Sequence, residues 1–240
     1  MTHHDGPPGA HVLAARFGEL AATVAATVGI AVAAPGRTEV YALGEWTTGV
    51  AWSTAKVPLA IAALRADHLR AEPLVVRAIT ESDNPASEQL WSQLGEPSLA
   101  AGRVQAVIAE TGDITTVVES RRLRSGFTAF GQTQWSLKRQ ARFAANLSGI
   151  PESAPVIGLM HRLIPEHRWG LAAEGVAAKG GWGPSRRGGY LARQFGIVPV
   201  PRGHLGVALA AHAPTFEAGV VVLDQLADWL FSHLAELPHQ

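Results

Sequence analysis

The sequence predicts an α+β fold, in which an antiparallel sheet is built from both ends of the chain and a helical region lies between them. Segments rich in Val, Ile and Ala before residue 50 and after residue 174 favour strands. Between them, apolar residues recur at spacings of three and four, the period of a helix. The 240 residues are 47% hydrophobic, enough for a full core. One domain over 1–240 is therefore expected, with an α/β half at 1–50 and 172–240 and a helical half at 51–171.

The N-terminal segments predict a helix followed by a hairpin. A helix is expected over about 10–26 and a strand over 29–34. Pro35 and Gly36 then form a turn, and a second strand is expected over 38–46. The apolar segment from Leu20 is too short to cross a bilayer and lacks the positive flank of a signal peptide, so neither feature is predicted.

The rest of the chain supplies the other helices and strands. The expected elements are helices at 57–70, 85–94, 97–110 and 133–147, strands at 176–182, 188–200 and 204–214, and a closing amphipathic helix at 215–234.

Charge and composition favour a small-molecule ligand. Twenty basic residues balance twenty acidic ones, with no long block of like charge, so nothing indicates nucleic acid or an anionic membrane as a partner. The absence of cysteine excludes disulfides, thiolate metal sites and a cysteine nucleophile. Neither H-E-x-x-H, G-x-G-x-x-G nor a P-loop is present, so no metal or nucleotide cofactor is expected.

Ser53 and Lys56 form the pattern S-x-x-K at the start of the apolar run AWSTAKVPLAIAAL. On a helix, residues i and i+3 lie on one face about 5–6 Å apart at Cβ, so the hydroxyl and the amine can meet. A neutral amine can remove the serine proton, and the positive end of the helix stabilises negative charge there. The lysines, at 56, 138 and 179, are few beside the arginines, which cannot titrate. Alone, the pattern is more typical of a capping serine and a solvated lysine.

Two further patterns follow in order along the chain. S-D-N at 82–84 precedes Pro85, and K-G-G at 179–181 ends a predicted strand, where the missing side chains let a ligand approach the backbone. Each alone is typical of ordinary structure, a helix cap and a β-bulge respectively. Together with S-x-x-K they resemble the motif set of serine β-lactamases and penicillin-binding proteins. Class A β-lactamases are the most similar, because AITESDNPASEQLW resembles their segment around S-D-N.

The resemblance implies a role for each of these residues. Ser53 would be the acylated nucleophile, Lys56 its proton acceptor, and Ser82 the relay that passes the proton to the leaving nitrogen. Class A enzymes deacylate with a glutamate in E-x-x-L-N, and Glu119 stands at about that place. However, Leu123 comes one residue late and no Asn follows. A surface ion pair with neighbouring arginines is the alternative interpretation of Glu119.

Substrate binding is assigned by the same resemblance. Lys179 would lower the pKa of Lys56 and attract the substrate carboxylate, and Asn84 would hold the substrate amide. Backbone N–H groups of Ser53 and of Trp182, which follows Gly181, would form an oxyanion hole.

One departure from the motif set concerns the residue after Lys179. Gly180 replaces the usual Thr or Ser, so a hydroxyl that helps to bind the substrate carboxylate is missing, and Ser185 or Arg193 is expected to substitute for it.

The implied function is that of a serine hydrolase that opens β-lactams or related cyclic amides through an acyl-enzyme, without a cofactor. Two alternatives stay open: a D-alanyl-D-alanine peptidase or esterase on the same scaffold, and a catalytically silent binding or regulatory domain. Proteins of this kind usually act outside the cytoplasm. The missing signal peptide predicts a cytoplasmic location unless the sequence is a processed form.

Overall fold

A five-stranded antiparallel sheet forms the centre of the molecule in the computed structural model, which describes residues 8–237. The strands are β1 (Thr27–Ala33), β2 (Val40–Gly44), β3 (Thr48–Val50), β4 (Gln134–Ser136), β5 (Ala177–Pro184), β6 (Tyr190–Val200) and β7 (Gly203–Ala213). The main sheet has the order β2-β1-β7-β6-β5, so its neighbours β1 and β7 come from opposite ends of the sequence. The predicted α+β class and the sheet built from both ends of the chain are confirmed.

Helices supply most of the chain between the strands, and within residues 8–237 none is long and apolar enough to cross a membrane. They are α1 (Pro8–Thr23), α2 (Lys56–Ala66), α3 (His68–Thr80), α4 (Asn84–Gln93), α5 (Pro97–Glu110), α6 (Leu137–Asn146), α7 (Ser153–Met160) and α8 (Phe216–Ser232).

The helix predicted over 57–70 is two helices in the structure. Asp67 adopts an extended conformation with φ −160° and ψ 92°, which ends α2, and its carboxylate accepts a hydrogen bond from Arg70 N at the start of α3. The apolar periodicity runs across this break, so it gave no sign of the bend. The prediction does not extend to the rest of α3, which contains Pro73.

The small second sheet was also not predicted. Strands β3 and β4 are three residues long each and pair with one another, so the predicted helix over 133–147 starts only at Leu137. Ser136 ends the strand and caps α6, since its hydroxyl accepts a hydrogen bond from Arg139 N. Three residues carry too little periodicity to identify a strand from sequence.

Two hydrophobic cores lie on opposite faces of the main sheet. On β1, Ile30 and Val32 belong to the core that contains α1 and α8, whereas Ala31 and Ala33 belong to the core around α2 and α6. This alternation follows the two-residue period of a strand. Small residues on the second face let a helix come close: a Cβ at Gly206 would lie 2.1 Å from Ala141 O of α6.

Helix α2 is the central element of the helical side. Its residues from Lys56 to Leu64 are all buried, as expected of a helix surrounded by protein on every side. The first turn of α2 therefore places Lys56 in the interior, at the edge of the sheet.

Candidate active site

A short 3₁₀ turn places the serine of the S-x-x-K pattern. Residues Trp52–Ala55 form this turn, and Lys56 begins α2 directly after it. Side chains at i and i+3 of a 3₁₀ helix are aligned, so Ser53 and Lys56 still share one side of the chain. Trp52 adopts a left-handed conformation with φ 52°, which is uncommon for a bulky residue; strained conformations of this kind cluster at functional sites. Ser53 is partly exposed, whereas Lys56 is 1% exposed.

The S-D-N segment forms a capped turn that faces Lys56. The Asp83 carboxylate accepts a hydrogen bond from Ala86 N at 2.6 Å, which caps α4, and pairs with Arg77 at 2.6 Å. Ser82 has a left-handed φ of 56°. This conformation directs both Ser82 and Asn84 to the buried amine.

Lys56 uses its ammonium donors on the S-D-N turn. Its Nζ donates to Ser82 O, to Asn84 Oδ1 at 2.8 Å and to Ser82 Oγ at 3.2 Å. In the part of the chain that the structure describes, no hydrogen bond joins Ser53 Oγ to Lys56 Nζ. The predicted amine–hydroxyl contact is therefore replaced by a contact between Lys56 and the second serine.

Lys179 reaches the same serine from β5. Its Nζ donates to Ser82 Oγ at 2.9 Å and to Gly180 O at 3.1 Å, and its side chain is 1% exposed. The hydroxyl of Ser82 thus lies between the two lysine amines. The three motifs, far apart in sequence, meet at this one oxygen.

Burial lowers the pKa of both amines. The pKa of Lys56 falls from 10.5 to about 7, mainly because burial disfavours the charged form, while the charge of Asp83 opposes the shift. The pKa of Lys179 falls well below its ordinary value, first by burial and then by the charge of Lys56. Within residues 8–237 no carboxylate is hydrogen-bonded to either amine. Lys56 can therefore be neutral near pH 7 and accept a proton.

The turn that carries Ser53 lies directly against β5. A Cβ at Gly181 would lie 2.8 Å from Ser53 N and 2.7 Å from Ala51 O, so only glycine allows this approach. A Cβ at Gly183 would likewise meet the Trp52 ring at 2.4 Å. Since β5 is an edge strand, it has N–H groups that do not pair with β6. The backbone of the turn at Ser53 is therefore in close contact with β5.

The indole of Trp182 points away from this approach. Its ring lies 5.0 Å from His167 and 5.3 Å from Phe216, on the opposite face of β5 from Lys179 and Gly181. Only the backbone of Trp182 lies where the resemblance places a substrate contact.

Trp169 explains the unusual glycine in K-G-G. A Cβ at Gly180 would lie 2.4 Å from Trp169 Cη2, so the indole occupies the space that a Thr or Ser side chain needs. Trp169 is 6% exposed and belongs to the core beside α8. The missing hydroxyl is therefore replaced by an aromatic ring. No sequence pattern identifies Trp169 as the neighbour of Gly180.

The predicted substitutes for that hydroxyl lie elsewhere. Arg193 is fully buried and donates to Gly49 O at 2.9 Å, Val50 O at 3.1 Å and Trp135 O at 3.0 Å, so its expected role in binding a substrate carboxylate is wrong. Ser185 lies beyond β5, in its turn to β6.

His167 is a further residue near the amines that the sequence patterns did not identify. Its pKa is lowered to about 4, first by burial and next by the charge of Lys179. Its Nδ1 is buried without a hydrogen-bond partner in residues 8–237. His167 is therefore neutral at pH 7 and adds no charge beside the amines. The histidine stands in no motif, so only the fold associates it with the site.

Glu119 lies outside this hydrogen-bond network. Its carboxylate accepts bonds from Arg121 N at 2.8 Å and Arg121 Nε at 3.0 Å, and these bonds lower its pKa. Within the described chain it makes no hydrogen bond to Ser53 or to either buried lysine. The ion pair is the arrangement expected from the alternative interpretation, and a role for Glu119 in deacylation stays a prediction.

Metal-binding side chains do not cluster here. Among residues 8–237, no three His, Asp or Glu side chains lie close enough together to hold a metal ion.

Comparisons with known proteins show where this fold occurs. No protein-family model matches the sequence, and no curated protein matches it. The chain is similar to the crystal structure of a β-lactamase from Burkholderia vietnamiensis, with TM-score 0.73 and 19% identity, covering 99% of this chain and 100% of that one. A β-lactamase from Chitinophaga pinensis has TM-score 0.74 and 16% identity, covering 93% of this chain and 99% of that one.

A third similar structure is that of a class A β-lactamase. It is the W229D mutant of the last common ancestor of Gram-negative class A β-lactamases, with TM-score 0.70 and 17% identity over 93% of this chain and 98% of that one. These neighbours share the chain's architecture over nearly its whole length, and the chain has the fold of the class A β-lactamases.

Proposed function

We propose that this protein is a serine hydrolase that opens β-lactams or related cyclic amides through an acyl-enzyme on Ser53. The observation that carries the proposal is the position of Ser82 Oγ, 3.2 Å from Lys56 Nζ and 2.9 Å from Lys179 Nζ. Two buried amines and a hydroxyl, next to a partly exposed serine, form a proton path without a histidine or a metal. The ligand is a small molecule bound along β5, beside Ser53.

The chemistry follows from which group can hold a proton. Neutral Lys56, which has given up one of its three contacts with the S-D-N turn, accepts the proton of Ser53 as the serine oxygen attacks the carbonyl carbon. The carbon–nitrogen bond then breaks, and the leaving nitrogen takes its proton from Ser82 Oγ. The hydroxyl of Ser82 is restored from protonated Lys56, which returns to its neutral state. Lys179 keeps the Ser82 hydroxyl in position through its own hydrogen bond.

The tetrahedral intermediate carries a negative oxygen that needs donors. Ser53 N and Trp182 N are the proposed pair, supported by the close approach of the turn to β5 at Gly181. In other serine hydrolases, one such donor lowers the activation free energy by about 3–4 kcal/mol. Asn84, held by Lys56, supplies an amide for the substrate acylamino group.

A peptidase or esterase on the same scaffold is the second candidate. It is favoured by the pairing of Glu119 with Arg121, which occupies the carboxylate that would activate water for hydrolysis of the acyl-enzyme. A penicillin adduct would then persist on Ser53, while an ester or peptide with a more reactive acyl group turns over.

A catalytically silent binding domain is the third candidate. Trp169 favours it, because its ring fills the space of the usual carboxylate-binding hydroxyl.

Hydrolysis of a chromogenic cephalosporin tests the main proposal. We expect the purified protein to open the ring and Ser53→Ala to be inactive, because the nucleophile is lost. Ser125→Ala, which changes an exposed serine of the 121–128 segment, is the matched control and should keep full activity. Equal rates for the protein and Ser53→Ala would contradict the proposal.

Intact mass spectrometry after penicillin treatment separates the candidates. A transient adduct with released product indicates a β-lactamase, and a stable adduct on Ser53 indicates the peptidase or esterase. No adduct with penicillin or with an acyl phosphonate indicates the silent domain.

A further inference from the structure

A cavity lies outside the hydrogen-bond network of Lys56, Ser82 and Lys179. It has a volume of about 870 Å³ and opens between β3, the 123–124 segment and the turn from β5 to β6. Ser53, the two buried lysines and Ser82 do not line it. The proposed hydrolase chemistry leaves this cavity without a role.

The rim of the cavity is positively charged. Arg124, Arg186 and Arg187 line it, and its described lining residues include no Asp or Glu. Arg124 donates to Pro184 O at 2.7 Å and Arg186 donates to Leu123 O at 3.1 Å, so these two arginines connect the loops on either side. Arg187 is exposed and makes no hydrogen bond within residues 8–237. No carboxylate of residues 8–237 pairs with these three guanidinium groups, so together they attract an anion.

The wall of the cavity carries buried donors that lack acceptors. Trp52 and Gln132 line it, and they are 6% and 4% exposed. Trp52 Nε1 and Gln132 Nε2 are both buried without a hydrogen-bond partner among the described residues. Buried donors are rarely left unpaired. Since both groups donate, an oxygen-rich acceptor such as a carboxylate would satisfy them.

Flat aromatic surfaces complete the lining. Trp46 and Trp52 contribute indole rings, and Arg124 lies over the Trp52 ring at 5.6 Å. Indole rings stack favourably on a flat apolar body, and pockets of this size typically enclose one small molecule.

We propose that this cavity binds a small organic anion that has a flat apolar body, of the class of aromatic carboxylates. The carboxylate lies where the arginine rim meets the unpaired donors of Trp52 and Gln132, and the ring lies against the two tryptophans. The site is independent of acylation at Ser53.

Calorimetric titration with 2-naphthoate tests the proposal, with the uncharged 2-naphthamide as the matched probe. We expect naphthoate to bind about tenfold more tightly than the amide, because only the carboxylate can accept a charge-assisted hydrogen bond from the arginines. Its affinity should fall as the salt concentration rises, because rim charges are screened. Equal affinity of the two probes, or no binding of naphthoate at millimolar concentration, would overturn the proposal.

Variants locate the bound probe. Arg186→Gln/Arg187→Gln should lower the naphthoate affinity about tenfold, to that of the amide. The control Arg103→Gln/Arg202→Gln makes the same change of charge at exposed arginines of α5 and of the β6–β7 turn, and should bind normally. If the control lowers the affinity as much as the rim variant, the effect is one of net charge and the proposal fails.

Two single variants separate this cavity from the candidate active site. Gln132→Met keeps the side-chain volume but removes the amide donor, so naphthoate binding should weaken. Ser53→Ala should bind naphthoate like the unchanged protein, whether or not the protein hydrolyses β-lactams. Loss of binding in Ser53→Ala, or normal binding in Gln132→Met, would place the probe elsewhere and overturn the proposal.

Discussion

At the scale of single residues, the two buried lysines decide what the site can do. Lys56 and Lys179 are fully buried side chains that donate to one hydroxyl, and burial lowers the pKa of each. Arginine in either place would stay protonated and would not fit the same contacts. The choice of lysine in an arginine-rich chain is therefore explained by titration and by shape.

Lys56→Arg should abolish acylation of Ser53 by a fluorescent penicillin, because a guanidinium cannot accept the serine proton. In the unchanged protein the acylation rate should rise with pH and level off above about 7, the pKa of Lys56. Lys138→Arg, on an exposed side chain, is the control and should be acylated normally. Acylation of Lys56→Arg at the normal rate would show that Lys56 is not the proton acceptor.

The same lowered pKa makes stability depend on pH. Lys56 has a pKa of about 7 when folded and 10.5 when unfolded, so between these values the unfolded chain binds more protons. The free energy of unfolding should therefore rise with pH in this window, by at most about 1.4 kcal/mol per pH unit for this group. Urea unfolding at pH 7, 8 and 9 measures the slope. Lys56→Met should reduce this slope, and the control Lys138→Met should leave it unchanged. The same slope in Lys56→Met as in the unchanged protein would disprove the lowered pKa of Lys56.

Gly180 and Trp169 should be energetically coupled. Gly180→Ala places a Cβ 2.4 Å from the indole, and overpacking of this kind costs about 1–3 kcal/mol of unfolding free energy. In a Trp169→Leu background the same change should cost much less, because the ring is gone. Gly102→Ala is the control, since nothing lies within 4 Å of its Cβ. Equal costs of Gly180→Ala in both backgrounds, measured in urea, would show that the ring is not responsible.

At the scale of elements, Arg193 joins the small sheet to the main one. From β6 it donates to carbonyls of β3 and β4 and to Gln140 Oε1 of α6, at 2.9 Å. Gln140 in turn donates to Thr54 Oγ1 at 2.9 Å, in the turn that holds Ser53. The buried cation has no carboxylate partner in the described chain, and burial lowers its pKa to about 9. Backbone carbonyls from several elements take the place of a counter-ion.

Arg193→Met should lower the free energy of unfolding by about 2–4 kcal/mol, because hydrogen bonds to a charged group are lost and their acceptors stay buried. The variant also removes the desolvation cost of the buried charge, which offsets part of this loss. Chemical denaturation measures the change, and Arg202→Met, at an exposed arginine, should leave stability unchanged. A variant as stable as the parent would indicate that the small sheet is held by packing alone.

At the scale of the whole molecule, the helical region shares its core with the sheet. The core around α2 includes Ala31, Phe195, Ala208 and Ala210 from three strands of the main sheet. The helices alone would expose that surface to water. The division into a helical half at 51–171 and an α/β half stays a prediction, and so does their folding as one unit.

A fragment of residues 51–171 should therefore not fold alone. We expect it to show no cooperative thermal transition by circular dichroism, whereas the full chain unfolds in one transition. The exposed core surface of the helices is the physical reason. A cooperative transition in the fragment would show that the helical region is an independent domain.

The sequence by itself determined the fold class and three of the motifs at the candidate site. The apolar residues of the hairpin, the central helices and the C-terminal strands recur with the period of their element. The structure keeps this period, because each element buries one face. Ser82, Asn84 and Lys179 could be selected only because their order matched a known motif set. The break at Asp67 is a local helix cap that apolar periodicity does not register, and strands of three residues are too short for a local pattern.

Only the tertiary structure decided which groups meet. It directed Lys56 to Ser82 instead of Ser53, and placed Trp169 and His167 beside β5. These contacts join residues that are distant along the chain, and a side chain's hydrogen bonds and pKa are fixed by all the groups around it. Periodicity reports which face of an element is buried, and does not report what lies against that face.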